Sequence, residues 1–286
     1  MLIVWSLVIL TILGVVFALG LSFASKKFKV ETDPRIDQIG DLLPGANCGG
    51  CGFAGCLAAA EAVVKGESPV NVCPALDEEM AKLVAGIMGV EYVEREREIA
   101  VVRCKGKDIA PRFAYYGIPD CRAAVLVQGG PHGCTYGCLG FGSCAEACPF
   151  DAIHMGLDCL PVVNPEKCTA CGKCVATCPR NLIRVLPVKK TVHVLCRSHD
   201  KGGMVKKICA HGCIACKKCE KACPEDAIHV TDFLAEIDYE KCKLCGDCIK
   251  VCPVGVIEDF REKTGPRPVE PDKEEAPKEE AAVTAS

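Results

Sequence analysis

Little in this chain suits a nucleic acid or a dinucleotide. Its 34 basic and 37 acidic residues nearly cancel, to a net charge of -3. A polyphosphate would favour a strongly basic face, so nucleic acid is excluded as a partner. No glycine fingerprint follows a strand as a dinucleotide site requires, and neither flavin nor NAD is expected on this chain. The 6 histidines show no pairing with a cysteine set apart as a nucleophile, so no catalytic residue is assigned. Aromatic side chains make up only 5%, although at 50% hydrophobic the 286 residues have enough apolar surface for two or three small domains. What is abundant is cysteine, at 25 residues. That level reads either as a disulfide scaffold or as a metal carrier, and spacing separates the two.

Charge is also missing from the start of the chain. Leu2 to Ala24 is a run of 23 uncharged residues, long enough for a helix to cross a hydrocarbon core of about 30 Å. Lys26, Lys27 and Lys29 follow at once, which by the positive-inside bias places the rest of the chain in the cytoplasm. A signal peptide would want a basic leading region, a shorter apolar stretch and a small-x-small cleavage site, and none of these is clear. The expectation is a single-pass anchor over residues 1–25 and a linker over 26–45.

Next comes "ANCGGCGFAGC", with Cys48, Cys51 and Cys56, and then Cys73 before a proline. These four thiols form a separate four-thiolate site, with glycines letting the backbone close round a cluster. "GFAGCLAAAEAVVKG" reads as an alanine-rich helix that stops at Gly66, and "ALDEEMAKLVAGIMG" as a helix with acids in its first turn. "EIAVVRC" reads as a strand ending at Cys104, and it closes this first module, 46–103. A first ferredoxin-like unit with an N-terminal extension is expected at 104–195 and a second at 196–260. Both are built of short pieces without a long amphipathic helix. The final stretch, 261–286, mixes proline, lysine and glutamate with almost no large apolar side chain, and reads as disordered. The fold class is α+β.

Three cysteine groups share one spacing: Cys168, Cys171, Cys174 and Cys178; Cys213, Cys216, Cys219 and Cys223; Cys242, Cys245, Cys248 and Cys252. Each group is followed by proline. This is the bacterial ferredoxin run. Three thiolates wrap one face of a 4Fe-4S cubane, and the fourth turns away to ligate the neighbouring cluster, so groups come in pairs. Gly172 and Gly246 let backbone amides point at cluster sulfurs. A zinc ribbon would need two cysteine pairs separated by a longer loop. Disulfides fit neither the spacing nor a reducing compartment.

"CAEACPFDAIHM" (144–155) repeats as "CEKACPEDAIHV" (219–230), and "CTACGKCVATCP" (168–179) as "CKLCGDCIKVCP" (242–253). Laying "HGCTYGC" (132–138) over "HGCIAC" (211–216) makes Cys134, Cys138 and Cys144 the first ligands of a looser group that ends at Cys148. In this overlay His132 and His211 are loop residues. The exchange rule then pairs Cys134, Cys138 and Cys144 with Cys178, and Cys168, Cys171 and Cys174 with Cys148. In the second unit it pairs Cys213, Cys216 and Cys219 with Cys252, and Cys242, Cys245 and Cys248 with Cys223. Five clusters use 20 cysteines. Of the remainder, Cys104, Cys121, Cys196 and Cys209 are candidates for a sixth cluster, the other account being that they are small buried hydrophobes. Cys159 is expected to be a bystander.

The uncharged span, "CGGCGFAGC" with Cys73, and the paired ferredoxin units together resemble the B subunit of the Rnf-type electron transport complex, over nearly the whole chain. "YYGIPDCRAAVLVQGGPHGCTYGCLGFGSC" is similar to its longer form from anaerobic bacteria. The resemblance implies a component of an ion-translocating ferredoxin:NAD oxidoreductase, coupled to sodium or protons. Its partners would be soluble reduced ferredoxin, the membrane, and the other membrane and peripheral subunits. This chain would be the wire, from ferredoxin units to the Cys48, Cys51, Cys56 and Cys73 cluster beside the anchor. Other accounts are an electron-input polyferredoxin of another membrane oxidoreductase, or an iron-sulfur carrier or scaffold.

Overall fold

The computed structural model describes residues 2–27, 33–106 and 109–261. The stretch read above as a disordered tail therefore lies outside the described residues, apart from Arg261, and so does Lys29 of the basic flank. The chain divides into two compact units: Met1–Asn47 with Phe53–Tyr92, and Cys48–Gly52 with the chain from Val93 onward.

The smaller unit is helical. Helix α1, Leu2–Lys27, carries the one stretch among the described residues that is long and apolar enough to cross a membrane, Val4–Ser25. Trp5, Leu10, Phe17, Leu21 and Phe23 stand exposed along it. Helix α2, Pro34–Leu42, occupies what the sequence suggested was linker. Asp33 caps it by accepting from the Arg35 amide, and Pro34 sits in its first turn, where no amide donor is required. Helix α3, Cys56–Val64, and helix α4, Glu78–Met88, pack on α2. The buried Ile39, Ala59, Ala60, Val63, Val84 and Ala85 fill the space between them. Gly66 and Gly89 end these helices with φ of +74° and +67°, a conformation glycine adopts without strain.

The larger unit contains the same arrangement twice. In the first copy β1 (Glu98–Val102) pairs antiparallel with β4 (Ile183–Pro187), and β2 (Ile153–Met155) with β3 (Pro161–Val163). Short helices lie between them: α5 (Cys121–Leu126), α6 (Ser143–Glu146) and α7 (Lys173–Thr177). In the second copy β5 (Val192–Val194) pairs with β8 (Ile257–Asp259), and β6 (Ile228–Thr231) with β7 (Leu234–Ile237). Its helices are α8 (Gly202–Ile208), α9 (Lys218–Ala222) and α10 (Asp247–Lys250). In each copy, then, the first strand closes on the last and a hairpin lies between them. The hairpin β6–β7 turns at Asp232 and Phe233, both at positive φ (48° and 60°), the backbone of a two-residue turn matched to strand twist.

This pairing moves two boundaries drawn from the sequence. Strand β1, expected to close the four-cysteine module at 103, pairs with β4 of the larger unit, and β5 likewise opens the second copy rather than ending the first. Both cuts fell one strand late because a distant strand partner leaves no local signal: Glu98 faces Pro187 and Val102 faces Ile183, while Val192 faces Asp259 and Val194 faces Ile257. Ala100, Ile153, Leu182 and Ile183 form the first copy's core, and Val192, Val194, Ile228, Leu234, Val256 and Ile257 the second's. Cysteines line both cores.

Candidate iron-sulfur centres

Among the described residues no two cysteines are joined in a disulfide. Among the described residues, no three His, Cys, Asp or Glu side chains converge as one metal ion requires. A tetrahedral zinc would hold its sulfurs only about 3.8 Å apart. The thiols instead lie in groups within electrostatic reach of one another.

In the second copy, the Cys219 thiol lies within electrostatic reach of Cys213, Cys216 and Cys252, and burial pushes it up to about 11. Cys248 lies within reach of Cys242, Cys245, Cys219 and Cys223, and burial pushes it up to about 12. The neighbours of these two thiols include those that the exchange rule pairs. Cys223, Cys242, Cys245 and Cys248 line one cavity together with Gly246 and Ile228. In the first copy, Cys174 is pushed up to about 12 by burial and lies within reach of Cys168 and Cys171, while Cys171 is within reach of Cys148. Amides point at these sulfurs. Ala100 N–H donates to Cys168 Sγ at 3.4 Å, and Ala152 and Ala227 donate to Cys148 and Cys223, each at 3.3 Å. Such donors offset the negative charge of a thiolate-bound cluster.

The remaining group differs from the sequence reading at two positions. Cys138, Cys144 and Cys178 share a cavity with Cys121, and Cys134 is not among its lining residues. Cys138 feels the Cys104, Cys144 and Cys121 charges and Cys144 those of Cys121 and Cys178; burial pushes the two up to about 12 and about 11. Cys134 lines a second cavity with Cys104, Cys196 and Cys209. The cause is a slip of four residues in the overlay of the two copies. Backbone conformation fixes the register: positive φ at Gly140, Gly142 and Asp151 recurs at Ala215, Lys217 and Asp226. In that ungapped register "CTYGC" (134–138) matches "CAHGC" (209–213), and Phe141 stands where the second copy has Cys216. The signal was present in the sequence, masked by the shorter "HGC" match.

Local structure explains how Cys121 reaches this group. Asp120 caps α5 by accepting from the Arg122 and Ala123 amides, and it also accepts from the Ser143 hydroxyl at 3.1 Å. The Cys121 amide donates to Ser143 Oγ at 2.8 Å, which ties Cys121 to the turn preceding Cys144. Phe141, unable to ligate, packs on Tyr115 with ring centroids 5.3 Å apart.

Arg180 carried no signal in the sequence. It is buried and donates to the carbonyls of Cys134 (2.5 Å), Gly137 (2.9 Å) and Gly129. It thereby holds the loop bearing Cys134 and Cys138 and places a cation beside Cys104, Cys134, Cys138 and Cys178. Burial lowers its pKa. In the same unit, a Cβ on Gly50 would stand 2.6 Å from the Cys171 carbonyl oxygen, so only glycine fits there, and Cys48 lies within electrostatic reach of Cys171. Cys159 is exposed and lines neither cavity.

Three family models match parts of the chain. An Fe-S cluster model matches residues 43–75, a 4Fe-4S binding domain 161–184, and a 4Fe-4S dicluster domain 212–256. Among curated relatives, the B subunit of the ion-translocating oxidoreductase complex of Methanosarcina acetivorans is 49% identical, covering 88% of this chain and 97% of that protein. The B subunit of the Na(+)-translocating ferredoxin:NAD(+) oxidoreductase complex of Acetobacterium woodii is 47% identical, covering 87% and 75%. The B subunit of the proton-translocating ferredoxin:NAD(+) oxidoreductase complex of Clostridium ljungdahlii is 44% identical, covering 88% and 90%.

Proposed function

This chain belongs to the B-subunit family of ion-translocating oxidoreductase complexes, and on that footing we propose that it is the membrane-anchored iron-sulfur subunit of a ferredoxin:NAD oxidoreductase. The observation that carries this reading is the gathering of buried thiols with backbone amides directed at their sulfurs. The assignment of Cys213, Cys216, Cys219 with Cys252, of Cys242, Cys245, Cys248 with Cys223, and of Cys168, Cys171, Cys174 with Cys148 is supported by the thiols that lie within electrostatic reach of Cys219, Cys248, Cys174 and Cys171. The set Cys48, Cys51, Cys56 and Cys73 rests on its spacing and on the Fe-S match over 43–75.

When bound at these thiols, 4Fe-4S clusters supply one-electron oxidation and reduction. The chain's own residues hold the ligands in place, direct amides at the sulfurs and exclude water through Ile153, Leu182, Ile228 and Val256. The donor is soluble reduced ferredoxin, received at the ferredoxin-like copies, and the acceptors are the complex's other subunits. Helix α1 holds the chain at the cell membrane, with Lys26, Lys27 and Lys29 keeping the cysteine domains on the cytoplasmic side.

Choice of coupling ion lies elsewhere in the complex. Relatives of similar identity, at 47% and 44%, are named for sodium and for proton translocation. Val4–Ser25 offers no ionisable side chain to either ion.

The test is anaerobic assembly of the full chain in detergent, followed by mixing with reduced ferredoxin under electron paramagnetic resonance. Clusters reduced within the mixing time and retained on gel filtration are expected. Clusters that pass to an apo-ferredoxin acceptor, or that reduced ferredoxin leaves oxidised, would return the chain to the carrier or scaffold reading.

A further inference from the structure

The ferredoxin pattern leaves out four of the gathered cysteines. Cys104 and Cys196 each lie two residues past the first strand of their copy, β1 or β5. Cys134 and Cys209 each lie four residues before the first cysteine of a ferredoxin group, Cys138 or Cys213. The duplication therefore supplies two equivalent pairs. Their settings match in detail: the Cys138 amide donates to Cys104 Sγ at 3.4 Å, and the Cys213 amide donates to Cys196 Sγ at 3.3 Å.

All four line one cavity of about 430 Å³, counting the part open to solvent. Cys104 lies within electrostatic reach of Cys134 and Cys209, Cys134 within reach of Cys209, and Cys196 within reach of Cys134. Gly106 lies close to this set, since a Cβ there would stand 3.0 Å from Ile109 and 3.1 Å from Cys209 Sγ. Further amides, from Ser198 to Cys196 and from Tyr136 and Gly137 to Cys134, face the sulfurs. Arg180 places positive charge beside Cys104 and Cys134, sulfurs that would be anionic when ligating.

Resting on the reading above, we infer that Cys104, Cys134, Cys196 and Cys209 form one further four-thiolate site for a 4Fe-4S cluster, contributed equally by the two copies, and that Cys121 replaces Cys134 beside Cys138, Cys144 and Cys178. Recruitment of Cys134 to the shared site and loss of a cysteine at Phe141 leave the first copy's own group two thiols long before Cys178. Cys121, carried by the insertion between β1 and α6, restores it to four.

Pairs of alanine variants separate the ligand sets, with iron and labile sulfide counted per full-length chain and Mössbauer spectra recorded. The parent chain is expected to hold about twenty-four iron atoms, and each of Cys121→Ala, Cys134→Ala and Cys209→Ala to lose about four. Joined with Cys209→Ala, Cys134→Ala should cost nothing further, still about four in all, whereas Cys121→Ala should bring the loss to about eight. Cys159→Ala should keep every iron. The reverse pattern, a loss of about eight for the Cys134 pair and about four for the Cys121 pair, would overturn the assignment. So would a parent with about twenty irons that Cys209→Ala leaves unchanged, or one zinc per chain that Cys209→Ala removes. Those outcomes leave the proposed function standing; a parent chain that assembles no iron would overturn both. If an alanine variant does not accumulate, Cys209→Ser is read by paramagnetic resonance: one altered signal supports the site, and an unaltered spectrum overturns it.

Discussion

The two ferredoxin-like copies share strand pairing, hairpin, positive-φ positions and cysteine-proline endings, yet one is regular and the other interrupted. In the second copy every ligand of a ferredoxin group comes from the run itself. In the first, Phe141 breaks the run and the replacement thiol arrives from Cys121, on an insertion. The difference teaches that a cluster site is set by where sulfurs can be held, not by consecutive spacing. An off-run ligand is tolerated where a cap and a hydroxyl, here Asp120 and Ser143, fix its backbone. The same insertion needs its own countercharge. Arg180 supplies it, at a position where the second copy, in register, has the aliphatic Val254.

The most complete way to erase this contrast is to make the first copy regular. Because Gly140 and Gly142 already hold the φ of Ala215 and Lys217, a thiol at position 141 would emerge where Cys216 does. Cys121→Ala should lose about four irons, and Cys121→Ala with Phe141→Cys should regain them. Counting iron and sulfide checks this, and a double variant that stays four irons short would show that the register does not carry the ligand position.

A smaller effect should separate Arg180 from Val254. Arg180→Ala leaves three carbonyls without their charged donor, a loss of about 3 kcal/mol. Val254→Ala removes two methyl groups from a partly buried site and should cost about 1 kcal/mol. Urea unfolding of the anaerobic protein measures both. Equal losses would mean that the insertion does not depend on Arg180.

These features mark where the sequence was legible. The ferredoxin runs and the helices ending at Gly66 and Gly89 could be read because each is encoded within a few residues. Strands β1 and β5 could be read as strands but not placed, since their partners lie far along the chain. Cys121 could not be assigned to its group, because nothing near it resembles a ferredoxin run and its position depends on Ser143. Arg180 was invisible for a related reason: an arginine beside a cysteine-proline ending declares neither its burial nor the carbonyls it meets. Helix α2 was passed over as polar linker, although Asp33-Pro34 is a capping signature.

The smallest expected difference between the copies is one of acid sensitivity. The middle of β5 is His193, where β1 has Val101 when the strand ends are aligned. His193 is 2% exposed, with Nδ1 2.8 Å from the Tyr239 hydroxyl and its ring against Phe260. Burial lowers its pKa to about 4, from an ordinary 6.5. Below about pH 6.5 the unfolded chain therefore takes up a proton that the folded chain refuses, and stability falls as pH drops through that window toward 4; above it nothing is lost. At pH 5.5 the loss should reach about 1 kcal/mol, and it should fall on the second copy, since Val101 has no proton to take. Amide exchange, corrected for its intrinsic pH dependence, should show β5 losing protection between pH 7 and 5.5 while β1 keeps it. Replacing His193 with phenylalanine should abolish the difference. Equal loss in β1 and β5 would mean that the two copies open as one unit, and that their cores are coupled more tightly than their separate strand pairings require.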